Sequence, residues 1–329
     1  MFASAILFAV GCYMILKGSE WITDASLEVA HRLNTTNVAV GLLLVSFMLS
    51  LPELAVAVSA VFKGHPDISV GVGIGSVIVN LGFVIGVAAI IKPIKVPRIM
   101  VSRDAIFMLV ATIVVSMIAL EDGTLNARDG VIFLLLFIPY ALNVYEQERM
   151  LKQKDKVKQI GRISKTLDLF GKLGGPEIAI KGGFAIFLLG AAALVAGAEL
   201  LTNALIGIAQ FLSLPEMLIA LTIGAMGPSI PNLAVALQSL SRGREYEDLA
   251  VSETIGSNIF TLLVTMGVIA LLVPVSLDQA TMSITAPALL MVTAIFFLFA
   301  VRGRIGRKEG IVLLLTYFAI IAIEYLARA

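Results

Sequence analysis

Long apolar runs, each about the length of a membrane crossing, fill most of the chain, and short polar turns separate them. In the first half the runs centre near residues 10, 50, 80, 112 and 136, and in the second near 192, 228, 260, 290 and 318. A spanning helix needs about 20 residues of low polarity, so the pattern predicts ten transmembrane helices. The one long hydrophilic stretch, from Tyr145 to Pro176, is rich in Lys and Arg and divides the runs into two sets of five. Two runs are interrupted from within. Residues 46–57 read SFMLSLPELAVA and residues 225–236 read AMGPSIPNLAVA, so each carries a Ser-X-Pro kernel followed by Glu or Asn. Proline withholds a backbone donor and disrupts a helix interior. Polar side chains at bilayer depth are costly and mark an ion or substrate path. Paired interruptions at matching positions in two halves are the sequence signature of a secondary transporter's binding site.

The match between the halves extends well beyond these kernels. At an offset of 179 they align without a gap from Gly18 to Gly64: Gly18 meets Gly197, Glu20 meets Glu199, Ser50 meets Ser229, Pro52 meets Pro231, and Leu54–Ala57 recurs as Leu233–Ala236. After a slip of two residues, Gly75-Ser76 meets Gly256-Ser257 and Pro93 meets Pro274. The chain is a tandem duplication. Five crossings is an odd number, so the two copies must enter the membrane in opposite directions. The expected fold is an all-α membrane protein of two inverted five-helix repeats. The first spans residues 1–146 with its motif at 46–80, a basic linker follows at 147–180, and the second spans 181–329 with its motif at 225–261. With the N terminus outside, 21 of the 24 Lys and Arg fall on the inner side, and only Lys63, Arg128 and Arg328 remain outside. Without the linker the balance is still 12 against 3. This asymmetry fits the positive-inside rule and predicts both termini outside and a cytoplasmic linker.

Composition agrees with this and excludes other classes. The chain has 329 residues, 59% hydrophobic and 14% charged, against about 45–50% and about 25% for soluble domains. Cys12 is the single cysteine, so no intrachain disulfide forms, and His31 and His65 are too few for a zinc site. There is no Ser–His pair, no metal-ligating His–Glu spacing and no phosphate loop. The glycine-rich run Gly71–Ser76 lies in an apolar helix and not after a strand, so it fails the context test for nucleotide binding. Neither an enzyme, a cofactor nor a nucleic-acid partner is expected; the partners are inorganic cations and the bilayer.

The residues that carry chemistry follow from the kernels. Glu53 comes directly after Pro52, a residue suited to the first turn of a new half-helix. A break around Ser46–Ser50 would free backbone carbonyls, which are tolerated at this depth only beside protein or a watery cavity. Carbonyls, hydroxyls and one carboxylate make a hard oxygen site for Na⁺, Ca²⁺ or a similar cation. In the next helix of the first half, Ser76 and Asn80 stand four residues apart on one face, and Ser257 and Thr261 do the same in the second half. Gly75 and Gly256 permit close helix approach. Glu253 has two readings: a charge restored at the membrane's edge, or a solvated residue at a helix start. Glu20 and Glu199, paired by the repeat, are expected to face water or cap a helix end.

These residues resemble the two alpha-repeats of the calcium/cation antiporter superfamily, and most of all its prokaryotic sodium/calcium exchangers. The resemblance covers essentially the whole chain. Glu53, Pro52 and Ser50 fit the first-repeat motif, Gly-Thr-Ser-X-Pro-Glu, and Ser229 and Pro231 fit the second. It implies an ion site lined by Glu53, Ser50, Ser46, Ser76, Asn80, Asn232, Ser229, Ala225, Ser257 and Thr261, and long first and sixth helices that slide to alternate access. The chain departs from the family where it matters for charge. Asn232 replaces the second glutamate, Thr261 stands where an aspartate often occurs, and Met48-Leu49 and Gly227-Pro228 replace Gly-Thr. Since Ca²⁺ affinity depends on ligand charge count, the remaining acid, Glu53, should hold Ca²⁺ more weakly.

The leading expectation is sodium/calcium antiport by alternating access, with Ca²⁺ and Na⁺ as the transported ions. A second keeps the fold and couples a proton or another cation through Glu53. A third is a channel or a homologue that no longer transports. The expected location is an inner or plasma membrane, crossed many times. The oligomeric state is left open, with a monomer compatible with a site built inside one chain.

Overall fold

The computed structural model describes residues 2–32, 38–150, 183–241 and 247–328. Among these the chain is almost wholly helical. The first half runs α1 (Phe2–Arg32), α2 (Val38–Phe62), α3 (Pro66–Ile78), α4 (Ile85–Ile91), β1 (Ile94–Lys95), α5 (Arg98–Met100), α6 (Ile106–Asp122), β2 (Thr124–Leu125) and α7 (Ala127–Met150). The second runs α8 (Gly183–Leu212), α9 (Glu216–Ile219), α10 (Ala225–Ser241), α11 (Glu247–Phe260), α12 (Met266–Leu272), β3 (Val275–Ser276), α13 (Ala286–Val301), β4 (Arg304–Ile305) and α14 (Arg307–Arg328). Five wide π turns join or open these helices, at Val79–Val84, Val101–Ala105, Ala220–Gly224, Thr261–Thr265 and Thr281–Thr285. Nine stretches among the described residues are long and apolar enough to cross a membrane, and the segment Ser50–Phe62 adds a shorter apolar helix. Large apolar side chains such as Met117, Leu298 and Leu315 stand exposed on the outer helices, as a lipid-facing surface requires. The protein is an integral membrane protein that crosses many times.

Close helix approach depends on glycine, and the approaches come in pairs related by the repeat. α1 crosses α8 where a Cβ on Gly11 would meet the Gly197 carbonyl at 2.9 Å and one on Gly18 would meet the Gly190 carbonyl at 2.7 Å. Gly86 on α4 meets Gly310 on α14, and Gly130 on α7 meets Gly267 on α12, again backbone to backbone. α3 lies against α9 and the π turn after it, with Gly71 over Ala220 and Gly75 over Leu221 and Ala225. Small residues let backbones touch where lipid supplies no hydrophobic drive for association. The polar turns are paired too. β1 pairs antiparallel with β4, Ile94 opposite Ile305, and β2 with β3, Leu125 opposite Val275. Each short ladder joins a turn of one half to a turn of the other.

At the β2–β3 end, Arg328 ties the last turn of α14 to the turn before α13. Its guanidinium donates to Glu324 at 2.8 Å, Asp278 at 2.5 Å, Thr281 at 2.9 Å and Thr285 at 3.1 Å. Partial burial works to raise the Asp278 carboxyl, but the donors on Thr281 and Arg328 outweigh it and hold it below its ordinary value.

Candidate functional site

The kernels do not unwind their helices. α2 continues as helix through Pro52, and α10 continues through Pro228 and Pro231. The expected break around Ser46–Ser50 is corrected on this point. What the prolines remove is a donor, so the carbonyls four residues earlier, on Met48, Gly224 and Gly227, lose their helical partner. In the second half the irregularity sits one turn earlier, in the π turn Ala220–Gly224 that leads into Ala225. Ser46 lies within α2, but its side chain is outside the described residues.

The other expected residues are all buried where α2, α3, α10 and α11 pack on one another. Ser50, Glu53, Ser76, Asn80, Ala225, Ser257 and Thr261 have no solvent exposure, and Ser229 and Asn232 have 1% and 2%. Two cross-helix bonds connect them. The Ser50 and Ser257 hydroxyls lie 2.8 Å apart, and Ser50 Oγ also reaches the Ser257 carbonyl at 3.2 Å. Asn80 Nδ2 donates to Asn258 Oδ1 at 2.9 Å. That bond uses the Asn80 amide nitrogen and leaves its Oδ1 without a donor.

Most of the remaining oxygens are unsatisfied. Both carboxylate oxygens of Glu53 are buried with no hydrogen-bond partner, as are the side-chain oxygens of Ser76, Ser229, Asn232 and Thr261. A buried unsatisfied polar group costs about 1–3 kcal/mol, and an ionised carboxylate costs several kcal/mol more to dehydrate. So many orphaned oxygens around one acid do not form a self-satisfied core. Hard oxygen acceptors with one formal negative charge among them are the kind of ligand a hard cation takes. No cluster of three or more His, Cys, Asp or Glu capable of holding a metal occurs among the described residues. Ser229 also forms the one polar point on the wall of an otherwise apolar cavity between Phe8 of α1, the Val79–Val84 turn and Met226 of α10.

The π turns were not expected, and they bear on the site. Asn80 lies in one and Thr261 opens another. Such turns redirect side chains and are frequent at functional positions. Ser76 and Asn80, and Ser257 and Thr261, therefore do not share simple α-helical spacing. Asn258, quoted only as part of the Gly-Ser motif, proves to be the partner of Asn80 and also reaches Met108 Sδ at 3.8 Å. Of the two acids paired by the repeat, Glu199 is exposed and bonds Lys63 at 3.1 Å. Glu20 departs from the expectation: it is buried at 5% exposure, and Lys17, itself buried, donates to it at 2.9 Å. Pairing within one turn of helix removes the need for water. Glu253 is buried as well, at 3% exposure, so its solvated reading is withdrawn.

Comparison with known proteins agrees with this geometry. The profile of the sodium/calcium exchanger proteins matches residues 3–145 and 182–326, one stretch in each half. The chain belongs to the sodium/calcium exchanger protein family. It is 29% identical over 344 residues to the sodium/calcium exchanger MaX1 of Methanosarcina acetivorans, covering 97% of this chain and 98% of that one. It is 28% identical over 320 residues to the inner membrane protein YrbG of Escherichia coli, covering 96% and 94%. The solved structure of the sodium-calcium exchanger NCX_Mj, soaked with 10 mM Na⁺ and no Ca²⁺, superimposes with a TM-score of 0.64 at 27% identity and covers 98% of each chain. The family consists of transporters, in keeping with a site that holds acceptor oxygens.

Proposed function

We propose that the protein is a secondary antiporter that exchanges Na⁺ against Ca²⁺ by alternating access, with Glu53 as the charged centre of its ion site. The observation that carries this reading is the Glu53 carboxylate, fully buried and unpartnered, amid unsatisfied oxygens from helices of both halves. Glu53 supplies the charge. Ser50, Ser76, Ser229, Ser257 and Thr261 supply hydroxyls, Asn80 and Asn232 supply amide oxygens, and the carbonyls near Ser46 and Ala225 complete the set. Na⁺ and Ca²⁺ compete for the same oxygens, and that competition couples their movements.

The path is framed by ten crossings arranged as two inverted five-helix repeats, residues 1–146 and 181–329, with both termini outside and the 147–180 linker in the cytoplasm. The glycine contacts of α1 with α8, of α4 with α14 and of α7 with α12, and the two strand ladders, support this arrangement, because they have counterparts at the repeat offset. The cavity beside Ser229 offers an approach to the site from the α1 side. The relatives' names support placing the protein in a cell's inner or plasma membrane.

The test is uptake of radioactive Ca²⁺ into proteoliposomes driven by an outward Na⁺ gradient. Uptake that collapses with the gradient is expected, and Glu53→Gln should abolish it while leaving a monodisperse protein. Folded protein that moves no Ca²⁺ under any Na⁺ gradient would rule out this coupling. One observation favours a second reading. Asn232 and Thr261 leave the site a single acid, and a lone buried carboxyl can be neutralised by a proton as readily as by a metal ion. Uptake that follows a pH gradient and ignores Na⁺ would select that reading.

A further inference from the structure

α11 and the π turn after it carry a polar residue at every fourth position: Glu253, Ser257, Thr261 and Thr265. All four are buried, at 3% exposure or less. Residues four apart on an α-helix stand one above the other, so Glu253 and Ser257 share one side of α11, and the π turn that follows carries Thr261 and Thr265. The corresponding positions of the first repeat are Val72, Ser76, Asn80 and Val84, apolar at both ends. The extension is peculiar to the second half. Ser257 belongs to the central site through its bond to Ser50. Glu253 lies one turn away, toward the start of α11, a helix that packs against β1 and follows the end of α10, where the Leu240 carbonyl accepts from Lys92.

The surroundings of Glu253 do not satisfy it. Its Oε2 is buried without a hydrogen-bond partner, and none of the described cationic side chains forms an ion pair with it. The nearby charges are already matched to each other. Arg103 grips Asp104 with two donors, at 2.7 and 2.8 Å, in the Val101–Ala105 turn that packs against α11. Arg103 and Asp104 match each other, and Glu253, near the start of the Val251–Leu272 span, is left with no counter-charge among the described residues. A purely structural carboxylic acid would donate or accept a hydrogen bond here, as buried polar groups do.

We propose that Glu253 is a second cation-binding carboxylate of the carrier, one turn from the central site toward the β1–β4 face, taking the same hard cations as Glu53. It supplies the negative charge that Asn232 no longer provides. A Na⁺ or Ca²⁺ leaving Glu53 passes Ser257 and is held at Glu253 before reaching the β1–β4 face. The proposal rests on the antiport reading above, and its test separates the two.

Ca²⁺ and Na⁺ binding to the purified full chain is followed by thermal stabilisation and by equilibrium dialysis with radioactive Ca²⁺. Wild type, Glu53→Gln, Glu253→Gln and Glu253→Asp are compared. Glu53→Gln should lose binding. Glu253→Gln should bind Ca²⁺ on the order of tenfold more weakly, as expected for a lost ligand charge, and take up fewer Na⁺ per chain. Should Glu253→Gln not give a monodisperse protein, Glu253→Asp decides. It keeps the charge but withdraws it by one methylene, so the Ca²⁺ midpoint must move if the carboxylate binds the ion. Wild-type midpoints and stoichiometry in either folded Glu253 variant, with binding lost in Glu53→Gln, overturn the role of Glu253 alone. A wild type that binds no cation at all overturns the antiport reading and this one together.

Discussion

Glu53 and Asn232 occupy equivalent positions in the repeat, and the difference between them sets the charge of the proposed ion site. Both are buried and both have unsatisfied side-chain oxygens, so both positions present acceptors. Only one presents a charge. Replacing Asn232 with glutamate adds a carboxylate and one methylene, and Ca²⁺ affinity rises with the number of ligand charges. Asn232→Glu should therefore lower the Ca²⁺ concentration for half-maximal uptake by roughly tenfold or more, read from initial rates in proteoliposomes. An unchanged value would mean that Asn232 does not face the ion. The sequence made these positions legible because a Ser-X-Pro kernel in an apolar run has few structural uses. Asn258 was not legible as a partner. An amide in an apolar run does not say which helix will meet it, and Asn80 lies 178 residues away. Glu253 was ambiguous for a related reason. It stands close to a helix start, where a solvated acid is ordinary, and only its burial separates the two readings.

At the level of elements, the number and position of most helices followed from the apolar runs, whereas their internal irregularities did not. Proline 52 suggested an unwound segment, yet the helix runs through it, because losing one donor leaves the rest of the ladder intact when neighbouring helices clamp it. The π turns have no residue signature comparable to proline. They arise where packing between helices demands an extra residue in the turn, which is tertiary information. The glycine crossings were partly legible, since Gly18 and Gly197 recur in the repeat, but which backbones they admit depends on the fold. A Cβ on Gly18 would lie 2.6 Å from the Leu194 backbone nitrogen. Backbone in a helix cannot step aside, so Gly18→Ala must push α1 away from α8. Overpacking of this kind costs about 1–3 kcal/mol, and a clear drop in the melting temperature of the detergent-solubilised protein is expected, together with slower exchange. Gly207→Ala is the control. There a Cβ meets only the Ser4 side chain, with Oγ at 2.6 Å, and that hydroxyl can rotate away. Equal melting temperatures for the two variants would mean that the α1–α8 crossing is looser than its glycines imply.

For the whole molecule, the two strand ladders constrain the topology more tightly than any single helix. β1 and β4 must lie on one face of the membrane because they are hydrogen-bonded, and so must β2 and β3. α6, a single crossing, begins shortly after β1 and ends just before β2. The two ladders are therefore on opposite faces. Each ladder takes one turn from each half, and the turns are exchanged at the repeat offset, as two copies inserted in opposite directions would produce. The orientation proposed above puts the β1–β4 ladder in the cytoplasm, where the Lys95, Arg302 and Arg304 clustered around it fit the positive-inside bias. The arrangement can be read chemically, because Cys12 is the single cysteine and is buried. In a Cys12→Ala background, Lys95→Cys and Ser276→Cys each place a thiol on an exposed ladder position. A membrane-impermeant maleimide added to intact cells should label Ser276→Cys at once and Lys95→Cys only after permeabilisation. The reverse pattern would keep the inverted architecture and turn the protein over in the membrane. Labelling of both from one side would be incompatible with a single crossing between the ladders, and with it the two halves could not present their kernels to a common ion from opposite directions.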